Sequence, residues 1–184
     1  AIRQQRQWQK DGLQINLSIN VSASDITSLI LPETISRLLA DNELDTTTIT
    51  LEVTESELMG ELTTSLDVLT RLRLKGVRLS IDDFGTGYSS LLQLFRMPFS
   101  ELKIDQSFVS KMVVDMEALA IVQACILLGE QFNMRVVAEG VEDRATKELL
   151  AELGCQSVQG YFMAKPMAAE DLMPWLALQL KPQD

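Results

Sequence analysis

Val77-Arg78-Leu79-Ser80-Ile81-Asp82-Asp83 alternates apolar and polar residues and ends in two adjacent acids. Successive side chains of a β-strand point to opposite faces, so Val77, Leu79 and Ile81 share one face while Arg78, Ser80 and Asp82 share the other. Two more stretches repeat the split. In Ile15-Asn16-Leu17-Ser18-Ile19-Asn20 the polar face is Asn16, Ser18 and Asn20; in Ile49-Thr50-Leu51-Glu52-Val53 it is Thr50 and Glu52. A strand of a doubly wound sheet is covered on both faces and reads as continuously apolar. Strands with one polar face are better explained by a barrel, where one face meets surrounding helices and the other turns inward.

Strand-like stretches at 13–21, 48–53, 77–83, Glu101–Ile104, 134–139 and 157–161 alternate with helical ones. The latter lie at 32–40, 57–75, 89–95, Met116–Gln131, 144–153 and 169–178, which makes six βα units. Residues 1–11 read as the tail of a helix that stops at Gly12. Pro32 suits a first helical turn, Thr54 and Glu57 form a capping-box pair, and Ser89 and Ser90 can cap the helix after them. Gly76, Gly129 and Gly154 can take the left-handed conformation that ends a helix. No linker or low-complexity tract divides the chain. The expected fold is α/β, a TIM-like (β/α) barrel of about six units in one domain, 1–184.

Composition narrows the chemistry. Sixteen Lys and Arg against 26 Asp and Glu give a net charge of −10, and histidine is absent. Serine and cysteine nucleophile systems that use imidazole are excluded, as are His-rich zinc sites. Any metal must sit on oxygen ligands, which suit magnesium, manganese or calcium. The acidic balance argues against a grip on duplex nucleic acid. Cys125 and Cys155 form no CxxC and read as reduced thiols in a cytoplasmic protein. The longest apolar run, 118–129, is interrupted by Gln123 and falls short of the about 20 residues that span a bilayer. Met97, Met112, Met116, Met134, Met163, Met167 and Met173 read as fillers of core gaps.

Each strand ends in a polar group: Asn20, Glu52, Asp82 with Asp83, Lys103, Glu139 and Gln159. A (β/α) barrel places its chemistry at that C-terminal rim. Four carboxylates and an amide around one mouth repel one another unless divalent cations join them. Two ions about 3.5–4 Å apart, bridged by a shared carboxylate, activate water and stabilise the leaving oxygen of a phosphodiester. Asp82-Asp83 suits the bridge, and Lys103 supplies a positive donor. Metal-assisted phosphoester hydrolysis fits this set. The adjoining Phe84-Gly85-Thr86-Gly87-Tyr88-Ser89-Ser90 reads as a mobile loop, and equally as an ordinary βα turn.

Six motifs then come in order: Asn20-Val21-Ser22, Glu52-Val53-Thr54-Glu55-Ser56, Asp82 through Ser90, Leu102-Lys103-Ile104-Asp105, Val137-Ala138-Glu139-Gly140-Val141-Glu142 and Gln159-Gly160-Tyr161. Together they resemble the EAL domain, the bacterial cyclic-di-GMP phosphodiesterase, over essentially the whole chain. The resemblance implies a modified TIM barrel that uses a two-metal site of Mg²⁺ or Mn²⁺ to hydrolyse cyclic-di-GMP to linear pGpG. It implies Asn20, Glu52 and Asp82 as ligands of one metal, with Asp82, Asp83 and Glu139 around the other. Lys103 matches the catalytic lysine that supports water and phosphate, and Glu139 matches either a ligand or a proton acceptor. Glu55 resembles the anchor of the loop formed by Phe84, Gly85, Thr86, Gly87 and Tyr88, and it also fits a first-turn helix acid. Glu142, Gln159 and Asp105 are implied members of the substrate site. Tyr161 and Pro166 follow the last strand, at the expected mouth. Homodimerisation, and a fused sensor or diguanylate cyclase domain, are further implications.

The Glu-Ala-Leu motif on an early strand, which names the family, is absent. The expectation is the C-terminal three quarters of the domain, roughly 60 residues short of a typical barrel and lacking its first two strands. Such a piece lacks one metal ligand, is impaired in catalysis and exposes sheet edges that invite self-association. The alternative is a catalytically inactive receptor for cyclic-di-GMP. The intact acidic positions favour catalysis.

Overall fold

Six parallel strands lie side by side in chain order: β1 (Leu17–Asn20), β2 (Ile49–Thr54), β3 (Arg78–Phe84), β4 (Glu101–Ile104), β5 (Arg135–Ala138) and β6 (Ser157–Val158). The computed structural model describes residues 1–59, 62–87 and 91–179. Among these, the sheet is an open half-barrel with β1 and β6 at its edges. The helices are α1 (Ile2–Lys10), α2 (Ala23–Ile26), α3 (Leu31–Asp41), α4 (Leu62–Leu74), α5 (Leu91–Arg96), α6 (Gln106–Val109), α7 (Met116–Gln131), α8 (Arg144–Glu152) and α9 (Leu172–Gln179).

The apolar strand faces meet the helices as their parity predicts. Leu51, Leu79, Ile81, Leu102, Ile104 and Val136 pack with Leu39, Leu69, Leu72, Val122, Ile126 and Leu150 in one buried cluster. The polar face has two outcomes. Thr50 and Glu52 on β2 are buried between neighbouring strands, whereas Ser18 and Asn20 on the edge strand β1 are exposed.

Several boundaries differ from the sequence reading. The stretch at 57–75 divides into a 3₁₀ turn, Glu57–Met59, and α4. Thr54 still finds Glu57: its amide donates to Oε2 at 3.1 Å and its hydroxyl to the same oxygen at 2.8 Å. Gly76 and Gly154 adopt positive φ after their helices, but Gly129 lies inside α7. A Cβ there would meet Val136 Cγ2 at 2.1 Å, so this glycine serves the close packing of α7 on β5 and is no stop signal. The strand expected at 157–161 ends at Val158, because Gly160 passes against the Val141 backbone and the chain turns. Ser89 and Ser90 lie outside the described residues.

Met97, Met112 and Met134 are core residues, whereas Met116, Met163, Met167 and Met173 are exposed, which corrects the uniform reading. Both thiols are free, and burial pushes Cys125 up to about 11. No helix among the described residues is long and apolar enough to cross a membrane.

Candidate active site

Lys103 lies near the end of β4 with its side chain 5% exposed, and its ammonium is the hub of the strand ends. Nζ lies 3.0 Å from Glu52 Oε2 on β2, 3.0 Å from Asp82 Oδ1 on β3 and 2.7 Å from Glu139 Oε1, just past β5. Burial alone would strip the proton from a lysine. Its hydrogen bonds to Glu139 and Glu52 outweigh that cost and hold Lys103 protonated above the usual lysine range. Burial pushes the Glu139 carboxyl up; Lys103 pulls it back, while the charges of Asp82 and Glu52 push it further up.

Two adjacent residues on a regular strand would face opposite ways, yet Asp82 and Asp83 act on one side. The register of β3 against β4 shifts between Ile81 and Phe84, and Asp83 takes φ 53°. A bulge re-aims side chains in this way, and aspartate is among the residues that tolerate left-handed backbone. Asp83 N–H donates to Asp82 Oδ1 at 3.0 Å, and oxygens of Asp82, Asp83 and Glu139 come within 4.8 Å of one another. Burial raises the Asp83 pKa, followed by the charges of Asp82 and Asp105 and a hydrogen bond shared with Asp105. Asp105 is buried behind it and caps α6, its Oδ1 accepting from Ser107 N–H at 2.9 Å.

Glu55 is buried just beyond β2, and the loop after β3 is tied to it. Its Oε2 accepts from the amides of Gly85 and Gly87, each at 3.1 Å. A Cβ on Gly87 would lie 2.7 Å from Glu55 Cδ, so the close approach needs glycine. Phe84 is buried, and the exposed Thr86 donates its hydroxyl to Asp83 O at 2.8 Å. Tyr88 lies outside the described residues.

The edge strands complete the rim. Asn20 pairs in register with Glu52 but its side chain is exposed. Gln159, Glu142 and Tyr161 line a groove of about 260 Å³ together with Glu139, Gly140 and Gln106. Lys165 Nζ stands 5.8 Å from the Tyr161 ring centroid, and Pro166 is exposed without lining the groove. Gln106 escaped the sequence reading; its signal was its place one residue after Asp105, in the first turn of α6 at the rim. The tripeptide Glu117-Ala118-Leu119 does occur, but in the first turn of α7 with Glu117 exposed. A larger cavity of about 440 Å³ lies by the opposite end of β1 and β2, where Gln5, Gln14, Asn16 and Asp45 gather no carboxylate cluster.

The donor set tests whether cations fit. Glu52, Asp82, Asp83 and Glu139 against the one ammonium of Lys103 leave about three negative charges when all are ionised. All donors are oxygens, so hard divalent cations fit.

The family model described as EAL domain matches residues 1–166. MucR of Pseudomonas aeruginosa, a bifunctional diguanylate cyclase/cyclic di-GMP phosphodiesterase, is 44% identical over 178 residues, 96% of this chain and 26% of that protein. The chain thus spans about a quarter of this relative's length. The structure of the MucR phosphodiesterase in complex with c-di-GMP superposes with TM-score 0.88, covering 94% of this chain and 70% of that one at 44% identity. The EAL domain of Mycobacterium smegmatis DcpA gives TM-score 0.92 at 35% identity, covering 99% of this chain and 82% of that one. A manganese/c-di-GMP complex of Klebsiella pneumoniae BlrP1 gives 0.80 at 29% identity, covering 88% and 41%.

Proposed function

The chain belongs to the EAL domain family, and from that premise we propose that it forms the C-terminal three quarters of a metal-dependent phosphodiesterase domain that hydrolyses cyclic-di-GMP to linear pGpG. One observation carries the reading: carboxylates from β2, β3 and β5 converge on one buried ammonium, and a bulge adds Asp83 beside them. The c-di-GMP complexes of MucR and BlrP1, the latter with manganese, support the substrate and the metal class. The share of the MucR and DcpA chains that is covered supports the domain assignment.

Asp82, Asp83 and Glu139, with Glu52 and Asn20, would hold Mg²⁺ or Mn²⁺. When bound, such cations supply Lewis-acid stabilisation of the phosphoryl oxygens and a water acidic enough to attack at neutral pH. Lys103 keeps its proton at every physiological pH; its donors are held by Glu52, Asp82 and Glu139, and once cations take up those carboxylates one would turn to a phosphate oxygen at the rim. Glu139 would either complete the set of cation ligands or accept the proton of the attacking water. Glu55 fixes the loop through Gly85 and Gly87 and so keeps the left-handed Asp83 in place. Glu142, Gln159 and Tyr161 bind the rest of the dinucleotide from the groove they line. Asp105 supports Asp83 from behind.

The test is turnover of cyclic-di-GMP with Mn²⁺ or Mg²⁺ by this chain and by a version extended N-terminally through a Glu-Ala-Leu strand. Each is run beside Asp82→Asn. The extended form is expected to be the more active, the substitution to remove at least about a hundredfold, and chelation to abolish turnover. Binding without cleavage by the extended form would make the domain a receptor instead.

A further inference from the structure

The phosphodiester ring of a cyclic dinucleotide is the same whichever bases it carries, so the acidic cluster and Lys103 cannot choose between bases. Resting on the cyclic-di-GMP reading, we propose that Gln106 reads the edge of a guanine base and, with Glu142, sets the preference of the site for guanine over adenine dinucleotides.

Backbone geometry places Gln106. Asp105 ends β4 and caps α6, which makes Gln106 the first helical residue at the rim. Gly140 follows Glu139 with φ 68°, and a Cβ on it would lie 2.4 Å from Gln106 Cβ and 3.2 Å from its Cα. The two backbones therefore approach more closely than any side chain at position 140 would allow. The stem of Gln106 is held against the segment that carries Glu139. Its exposed carboxamide makes no hydrogen bond among the described residues, and it shares the groove of about 260 Å³ with Glu142, Gln159 and Tyr161.

The chemistry of this group is selective. Guanine presents the O6 acceptor beside N1–H and N2–H₂ donors, whereas adenine presents an N6–H₂ donor beside the N1 acceptor. A carboxylate only accepts; a carboxamide both donates and accepts. Glu142 accepting from N1–H and N2–H₂, with Gln106 Nε2 donating to O6, satisfies guanine. Adenine would set its N1 lone pair against the Glu142 carboxylate, and no rotation of Gln106 relieves that. Tyr161 offers an aromatic face on which the base stacks.

Equilibrium binding of cyclic-di-GMP and cyclic-di-AMP in the presence of Ca²⁺ tests the assignment. The proteins are the chain extended N-terminally through a Glu-Ala-Leu strand and its Gln106→Ala, Gln106→Asn and Gln106→Glu variants. Gln106→Ala should weaken the guanine ligand about tenfold while changing the adenine ligand by less than about twofold. Gln106→Asn should recover part of the loss. Gln106→Glu, which turns a second carboxylate on O6, should cost the guanine ligand about a hundredfold and narrow the gap between the two. Equal losses for both ligands, or no loss, overturn the assignment while leaving the cyclic-di-GMP reading intact. An extended chain that binds neither ligand overturns that reading, and the assignment with it.

Discussion

The middle of the sheet and its edges carry the same kind of sequence, a polar residue at the C-terminal end of each strand, yet they differ physically. On β2 and β4, and at the end of β5, those residues are largely buried and locked to one another through the Lys103 ammonium. On β1 and after β6 the corresponding Asn20 and Gln159 are exposed. The difference comes from neighbours. A central strand is flanked on both sides, so its inward polar groups lose water and must pair, whereas an edge strand leaves them hydrated. The centre therefore couples folding to charge, and the edges should contribute to binding with little effect on folding.

The largest break in this contrast is expected at Lys103. Lys103→Met leaves Glu52, Asp82 and Glu139 facing one another without their shared counter-charge. Removing one partner from a buried ion cluster costs about 3–5 kcal/mol. Urea denaturation should show that loss, and Mn²⁺ should recover part of it by replacing the missing positive charge. A loss below about 1 kcal/mol would mean that the cluster is hydrated and the centre resembles the edges.

Glu55→Ala comes next. It removes the charged acceptor of the Gly85 and Gly87 amides, and hydrogen bonds to a charged group contribute about 1.5–3 kcal/mol. Hydrogen exchange at those two amides should accelerate while the amides of β2 stay protected. Uniform acceleration through β2 would show that Glu55 holds the sheet rather than the loop.

The pH response of folding arises at the centre. Asp83 and Glu139 hold their protons to higher pH in the folded chain than their ordinary values near 3.8 and 4.5. Folding then takes up protons between the unfolded and folded values. The stability these groups contribute is full below the unfolded value and is lost as pH rises through the folded one. Metal-free urea midpoints should fall with rising pH across that window, relative to an Asp83→Asn, Glu139→Gln variant. Saturating Mn²⁺ should reverse the slope, because ligands must be deprotonated to bind it. An identical slope in wild type and variant would remove these two groups from the account.

How much of this was legible follows from the same contrast. Strand parity gave the inward face of Glu52 and Asp82, and the six-unit pattern gave the parallel order, because both are local periodicities. Asp83 was placed at the rim by its position beside Asp82 at the strand end, although strict alternation sends it outward; the bulge that turns it back depends on how β3 registers with β4. Gly129 was misread because its meaning lies in Val136, seven residues away on another element. Gln106 was invisible for a similar reason. Only the approach of Gly140 shows that its stem is fixed, and that contact spans two βα units.

The smallest effect on folding is expected at the edge, and it is the sharpest test of the comparison. Asn20 sits level with Glu52 in the β1–β2 register, one strand from the ion cluster, yet its amide is exposed. Its removal breaks no buried hydrogen bond and uncovers no core, so Asn20→Ala should shift the urea-derived stability by less than about 0.5 kcal/mol. If Asn20 is a ligand, the same substitution should raise the Mn²⁺ concentration needed for half-maximal stabilisation, since the site loses one of its oxygen donors. A stability loss near that of Lys103→Met would show that β1 is as tightly integrated as the centre. Unchanged stability with unchanged Mn²⁺ dependence would confine the metal site to β2 through β5.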